Sequence, residues 1–251
     1  QQTSCDSHAD ASIKETEQLK EKPNELNVKY IKQNDVFDFS KLNNSCKPYA
    51  HNPGIYTIYV PGLMPFLVPC IDNSKASPGW TVIQQRLNGG QEFQRDWNTY
   101  RDGFGYLNED YFLGLNKIHY ITHSQPHELY IRMQKFNDEW YFVHYDNFRV
   151  GSEDDLFELQ SVGKYTGTHE DDDYFGYSKN VKFTTYDRDN DDWDTGNCAK
   201  DEMSGGWWYT SCAACNLNGK YFPIETEDEK SIHWRNRTSL KRVQMLIRPI
   251  N

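Results

Sequence analysis

The chain has 251 residues, enough to bury one large domain or one domain and a short stalk. It has 27 Lys and Arg against 37 Asp and Glu, a net charge of −10 that speaks against nucleic acid or an anionic membrane as partner. The acidity suits cations or partners with a basic patch, or serves solubility alone.

The longest apolar run, residues 55–68, is too short to span a bilayer and is broken by Pro61, Gly62 and Pro65, so no membrane insertion is expected. Only 37% of residues are hydrophobic, yet 15% are aromatic, a balance that suits a loop-rich extracellular domain with a binding face. The sequence opens on Gln1 instead of Met, as expected after removal of a signal peptide. The six cysteines are even in number and permit three disulfides. Cys212 and Cys215 stand closest together, but with no second pair nearby they do not read as a zinc site. Sequons at Asn43 and Asn236 add the signature of a secreted glycoprotein surface, and together these features place the chain in an oxidising, extracellular setting.

Along the chain, residues 1–40 are polar and lack Trp. Ile13, Leu19 and Leu26 sketch a helical stripe that Pro23 interrupts, so the segment reads as a polar leader or short stalk, without sustained heptads. Residues 55–60 alternate as a strand, and residues 80–85 form a second β-rich run. Asn88-Gly89-Gly90 signals a turn. Phe93, Trp97 and Tyr100 share one helical face ahead of a stop at Gly103. Further strands are predicted over 128–134, 139–144 and 241–248. The layout is α+β: a mixed sheet, short helices and long loops.

Residues 169–194 hold nine acidic side chains and three Lys or Arg. Within them, Asp187, Asp189, Asp191, Asp192 and Asp194 crowd one short stretch before Cys198. Carboxylates about 4 Å apart repel by roughly 4 kcal/mol at an effective dielectric near 20. A hard divalent cation converts that repulsion into attraction, and alternate Asp189 and Asp191 on extended backbone point the same way. The loop is no EF-hand, since that motif's Gly and closing Glu positions hold Asp192 and Cys198. From spacing alone, a calcium loop and a solvated acidic turn are about equally supported.

The resemblance is carried by GWTVIQQR at 79–86, FQRDW at 93–97, GFG at 103–105, YFLGLNKIH at 111–119 and FTTYDRDND at 183–191. NCA at 197–199, GGWWY at 205–209, NLNGKY at 216–221 and SLK at 239–241 follow in order. From Cys46 to Pro249 the chain resembles the fibrinogen C-terminal (fibrinogen-related) domain family of ficolins, tachylectins, angiopoietins and fibrinogen β and γ chains. The domain is accordingly placed at 41–251. The resemblance implies disulfides Cys46–Cys70 and Cys198–Cys212, and a Ca²⁺ held by Asp189 and Asp191 side chains with the carbonyls of Trp193 and Thr195. The loop is one residue longer than the family pattern, which leaves a one-residue shift of those carbonyls open. A ligand pocket is implied beside the second disulfide, at Ser211, Cys212 and Ala213, with a cis peptide before Cys212.

The sequence departs from its relatives at that pocket. Ala213 replaces a usual His, Ser231 replaces a Gly, and Asp228 and Thr238 stand where acetyl-binding members carry aromatics. Glu202 and Glu229 match positions where fibrinogen chains hold a peptide's basic N-terminus, which points to an amine or basic peptide; an eroded pocket is the competing reading. Cys215 stands where relatives often have Ser; either it pairs with Cys5, or Cys5 bridges two chains into a disulfide-linked homo-oligomer. No hydrolase or phosphate-loop motif occurs, and ionised, calcium-filled carboxylates do not make a glycosidase pair, so no enzyme is expected. His119, His144 and His233 read as structural or surface groups. The expected function is a secreted, calcium-dependent recognition module: lectin-like pattern recognition of extracellular glycans in innate immunity, or a receptor-binding or clotting-type protein ligand.

Overall fold

A computed structural model describes residues 38–73 and 77–250. The chain separates into a unit at 1–39 and a unit at 40–251, and the fold below is that of the second. Cys5 and the stripe Ile13, Leu19, Leu26 lie outside the described residues.

Among the described residues of the unit there are eleven strands and two α-helices, with 3₁₀ and π turns between them. The apolar run at 55–68 resolves into an antiparallel hairpin, β1 (Gly54–Ile58) and β2 (Phe66–Ile71), because Pro61, Gly62 and Pro65 force a turn. Strand β3 (Trp80–Arg86) follows, then helix α1 (Trp97–Asp102), the short strands β4 (Phe104–Gly105) and β5 (Tyr111–Phe112), and helix α2 (Leu115–Ser124). Strands β6 (His127–Gln134), β7 (Trp140–Tyr145), β8 (Arg149–Val150), β9 (Leu159–Ser161) and β10 (Tyr165–Gly167) precede the long loops. β11 (Arg242–Pro249) closes the unit.

The main sheet runs β1-β2-β3-β11-β6-β7-β10, with β5 paired to β3 and β4 to β5. Every ladder among the described residues is antiparallel; the mixed character reduces to one isolated parallel bridge, Lys220 to Ser231. The strand closest to the C-terminus therefore occupies the middle of the sheet, between β3 and β6.

All seven residues of β3 are buried, polar ones included, because both faces are covered. Gln84 Nε2 donates to Leu217 O at 2.7 Å, and Arg86 Nη1 to Gly219 O at 2.6 Å. The polar side chains of a central strand thus hold the later loops, which meets the requirement that buried donors be paired.

The helix at 93–103 starts later than its periodicity suggests. Asp96 caps it, accepting from Thr99 N at 2.8 Å, and Phe93 sits in the preceding extended segment. Gly103 ends it with φ +95°. Helix α2 has no counterpart among the predicted elements, although Leu115, Ile118 and Ile121 form its buried stripe.

The aromatic residues fill the core more than they furnish a face. Trp80, Trp97, Trp207, Trp208 and Trp234 are buried, whereas Trp140 is exposed. Trp97, Tyr100, Phe104, Phe112, Phe183 and Trp208 pack in edge-on and tilted contacts. Each such ring removes a large area from water, which offsets the shortage of aliphatics. Among the described residues no helix is long and apolar enough to cross a membrane.

Candidate functional site

The acidic loop is stitched to the segments around the second disulfide by hydrogen bonds from backbone N–H groups. Asp191 Oδ1 accepts from Trp193 N at 3.0 Å and Oδ2 from Cys198 N at 2.9 Å. Asp192 N donates to Thr210 O at 3.1 Å, linking the loop to the segment before Cys212. Thr210 N and Oγ1 in turn donate to Cys212 O. The Cys198–Cys212 bridge is formed, and the Ser211–Cys212 peptide is cis. Cys46–Cys70 is formed as well, tying the segment ahead of the hairpin to β2.

Two side chains from far away in sequence complete this ledge. Gln94 Nε2 donates to Ala199 O at 2.9 Å, and its Oε1 accepts from Gly205 N. Asp187 turns inward to accept from Trp97 N at 3.0 Å and Thr185 Oγ1 at 2.7 Å. Asp187 therefore belongs to the scaffold, and the pair left facing each other is Asp189 and Asp191. Neither Gln94 nor Thr210 stands out in the sequence; the FQRDW resemblance contains Gln94 but assigns it no task.

Electrostatics single out Asp191. Burial raises its pKa most; hydrogen bonds from Trp193 N and Cys198 N oppose this, and the adjacent Asp189 carboxyl raises it further. Two carboxyls in contact, one of them half-buried, form a site whose charge a divalent ion would balance. The Trp193 carbonyl already accepts from Gly196 N at 3.2 Å and retains a second lone pair; Thr195 is exposed. Among the described residues there is no group of three or more His, Cys, Asp or Glu that could hold a metal, so a cation here would have to rest on two carboxylates and on carbonyl and water oxygens.

The implied pocket residues do not all converge. Ser211 is exposed, Cys212 and Ala213 are half-buried, and Glu202 is exposed at the end of the short π-helical turn Cys198–Glu202. Glu229 forms an ion pair with Arg237, so part of the acidity expected of the pocket is neutralised within the chain. Asp228 turns back on itself, accepting from Lys230 N at 2.7 Å. Thr238 lines a different cleft of about 310 Å³ with Tyr141, Asp172, Trp234, Arg235 and Asn236.

Cys215 is a free thiol and only 1% exposed; Cys5, the partner expected for it, lies outside the described residues. Its neighbours exclude water, and burial pushes the thiol pKa well above its ordinary value. The two sequons also differ. Asn236 is exposed in a turn at φ +53°, whereas Asn43 is half-buried, donates to Tyr49 Oη at 3.0 Å, and is followed by buried Ser45.

A disulfide-bridged loop domain with this sheet order and cis-peptide ledge is a fibrinogen-type globular domain. Residues 42–250 match the family described as the C-terminal globular domain of fibrinogen beta and gamma chains, and the chain belongs to that family. Fibrinogen-like protein 1 of Bos taurus is 38% identical over 189 residues, covering 68% of this chain and 60% of that protein. The chain thus spans about three-fifths of that relative's length. The fibrinogen-like globe domain of human ANGPTL2 superposes with a TM-score of 0.76 at 33% identity, covering 82% of this chain and 99% of that one. Lamprey fibrin D-dimer, solved in complex with the peptide Gly-His-Arg-Pro-amide, gives a TM-score of 0.74 at 28% identity, covering 96% and 89%.

Proposed function

We propose that the domain is a secreted, non-enzymatic binding module in which Ca²⁺ fixes the acidic loop and, through it, a ledge that receives a protein or peptide segment. The carrying observation is the pair of facing carboxyls, Asp189 and Asp191, in a loop hydrogen-bonded to Cys198 of the disulfide and to Thr210, two residues ahead of its other cysteine. Asp189 and Asp191 would hold the ion, with the carbonyls of Trp193 and Thr195 as neighbouring oxygens; the ion supplies charge balance, not chemistry. The residues around it do the positioning. Asp192 N and Cys198 N pass the loop's geometry to Thr210 and Cys212, on which a ligand would rest.

A peptide suits this ledge better than an acetylated sugar. Asp228 and Thr238 offer no aromatic wall, and Thr238 looks into another cleft. Glu202 remains as an exposed acid for an amine or a basic side chain. The lamprey fibrin relative is known with a peptide bound, which fits the same reading. Lectin-like recognition in host defence is the competing function, and a receptor-binding or clotting-type ligand is the one favoured.

Calorimetry with CaCl₂ tests the ion: heat of binding is expected, and chelator should lower Tm. Asp189→Asn with Asp191→Asn should abolish both effects. Free-amine and N-acetylated versions of one peptide panel, run beside a glycan array in calcium and in chelator, test the ligand. Binding that needs the free amine and calcium supports the proposal. Calcium-dependent capture of N-acetylated sugars alone would replace it with the lectin reading.

A further inference from the structure

Two histidines that look scattered in the sequence meet on one helix. His119 and His123 are one turn apart on α2, the i, i+4 spacing that stacks side chains on one face, and their ring centroids are 4.2 Å apart. His119 Nδ1 lies 3.0 Å from Val150 O on β8. A carbonyl only accepts, so Nδ1 carries the proton and Nε2 keeps a free lone pair. A metal-binding imidazole is oriented in this way by a hydrogen bond from its other nitrogen. His119 is half-buried and anchored, while His123 is exposed.

We propose that His119 and His123 form a clamp for a divalent transition-metal ion such as Zn²⁺, chemically distinct from the oxygen ligands of the acidic loop. Imidazole nitrogen suits Zn²⁺, Cu²⁺ and Ni²⁺, whereas Ca²⁺ takes oxygen. Zn–N distances of about 2.0–2.1 Å in a tetrahedral site put two ligating nitrogens roughly 3.3 Å apart, and the two ring centroids, 4.2 Å apart, already lie near that separation. No third His, Cys, Asp or Glu completes a set among the described residues. Water fills the remaining positions, with Asp155 close enough to act electrostatically on both rings. The clamp is therefore weaker than a four-ligand structural site, and its ion stays open to a further ligand.

Arg149 is the built-in competitor. Its Nε and Nη2 lie 3.1 and 2.9 Å from the two ring nitrogens of His123, holding a positive charge where the ion would sit. Arg149 is itself exposed, so it can swing away when the ion binds.

Titration calorimetry of the full chain with ZnCl₂, in excess Ca²⁺ to keep the acidic loop occupied, is the test. One Zn²⁺ per chain is expected. His123→Ala should weaken it by roughly tenfold or more, Arg149→Gln should tighten it severalfold, and Asp189→Asn with Asp191→Asn should leave it unchanged. His123 is exposed, so its replacement does not threaten the fold. In a parallel NMR titration the ring protons of His119 and His123 should shift together. Wild-type Zn²⁺ affinity in His123→Ala, or ring signals that stay still while Zn²⁺ binds, would overturn the clamp.

Discussion

Asp110 is fully buried, and its carboxylate gathers the turn after β3: Oδ1 accepts from Leu87 N at 2.6 Å and Asn88 N at 3.1 Å, and Oδ2 from Gly89 N at 3.1 Å. The same oxygen faces Arg86 Nε at 3.5 Å, while the guanidinium lies 3.8 Å over the Phe93 ring. Burial brings the Arg86 pKa down to about 10 even with Asp110 beside it. Asp110→Ala leaves that cation without a counter-charge and three backbone N–H groups unpaired. A loss of about 3–5 kcal/mol is expected in urea unfolding, with Asp110→Asn losing less because its amide oxygen still accepts. On the surface, Arg237 is the residue to remove. Arg237→Ala frees Glu229, so a peptide amine that docks there should bind severalfold tighter, with calcium heats unchanged. Equal peptide affinity in the variant would show that Glu229 does not face the ligand.

At the scale of elements, the ledge depends on a close crossing of two loops. Gly205 has φ +77°, and a Cβ there would stand 2.2 Å from Asn218 O, a backbone atom that cannot step aside. Gly205→Ala should cost about 1–3 kcal/mol, lower Tm by several degrees, and weaken calcium binding, since Gly205 N is held by the Gln94 side chain that also holds Ala199 next to Cys198. Scanning calorimetry with and without Ca²⁺ checks both halves. The element pattern itself was largely readable. The strands at 54–58, 80–86, 127–134, 140–145 and 242–249 carry apolar β-formers in the predicted stretches, and their ends moved by a residue or two. Helix α2 is legible in the same way, because Leu115, Ile118 and Ile121 repeat at helical spacing.

For the molecule as a whole, acid should be destabilising in a defined window. His127 is 1% exposed; burial lowers its pKa to about 4, partly offset by its hydrogen bond to Gln125 O at 2.8 Å. Between about pH 4 and an unfolded value near 6.5, the unfolded chain binds the extra proton, so stability rises with pH. From pH 7 to pH 5 this group should remove about 2 kcal/mol, and His233 is shifted in the same direction by burial. Urea midpoints at the two pH values, with NMR titration of the His127 ring, measure it. A midpoint unmoved by acid would contradict the burial of a neutral imidazole. Calcium affinity should fall over the acid range as well, because protons compete for Asp191, whose pKa is raised.

What the sequence alone determined was local or carried by ordered motifs. Alternation marked the strands, the crowding of Asp187 to Asp194 marked a loop under charge strain, and the run of motifs from Gly79 to Lys241 marked the family, its disulfides and its cis peptide. Tertiary structure decided which of those residues meet. Gln94 and Gly205 are 111 positions apart, and Asp192 reaches Thr210 across a disulfide loop. Glu229 finds Arg237, Thr238 turns to another cleft, and Arg149 arrives from β8 to cover His123 on α2. A one-dimensional pattern reports the period with which a side chain faces a surface, about 2 residues in a strand and about 3.6 in a helix. The partner waiting on that surface comes from a distant strand or loop, and only the closed fold supplies it.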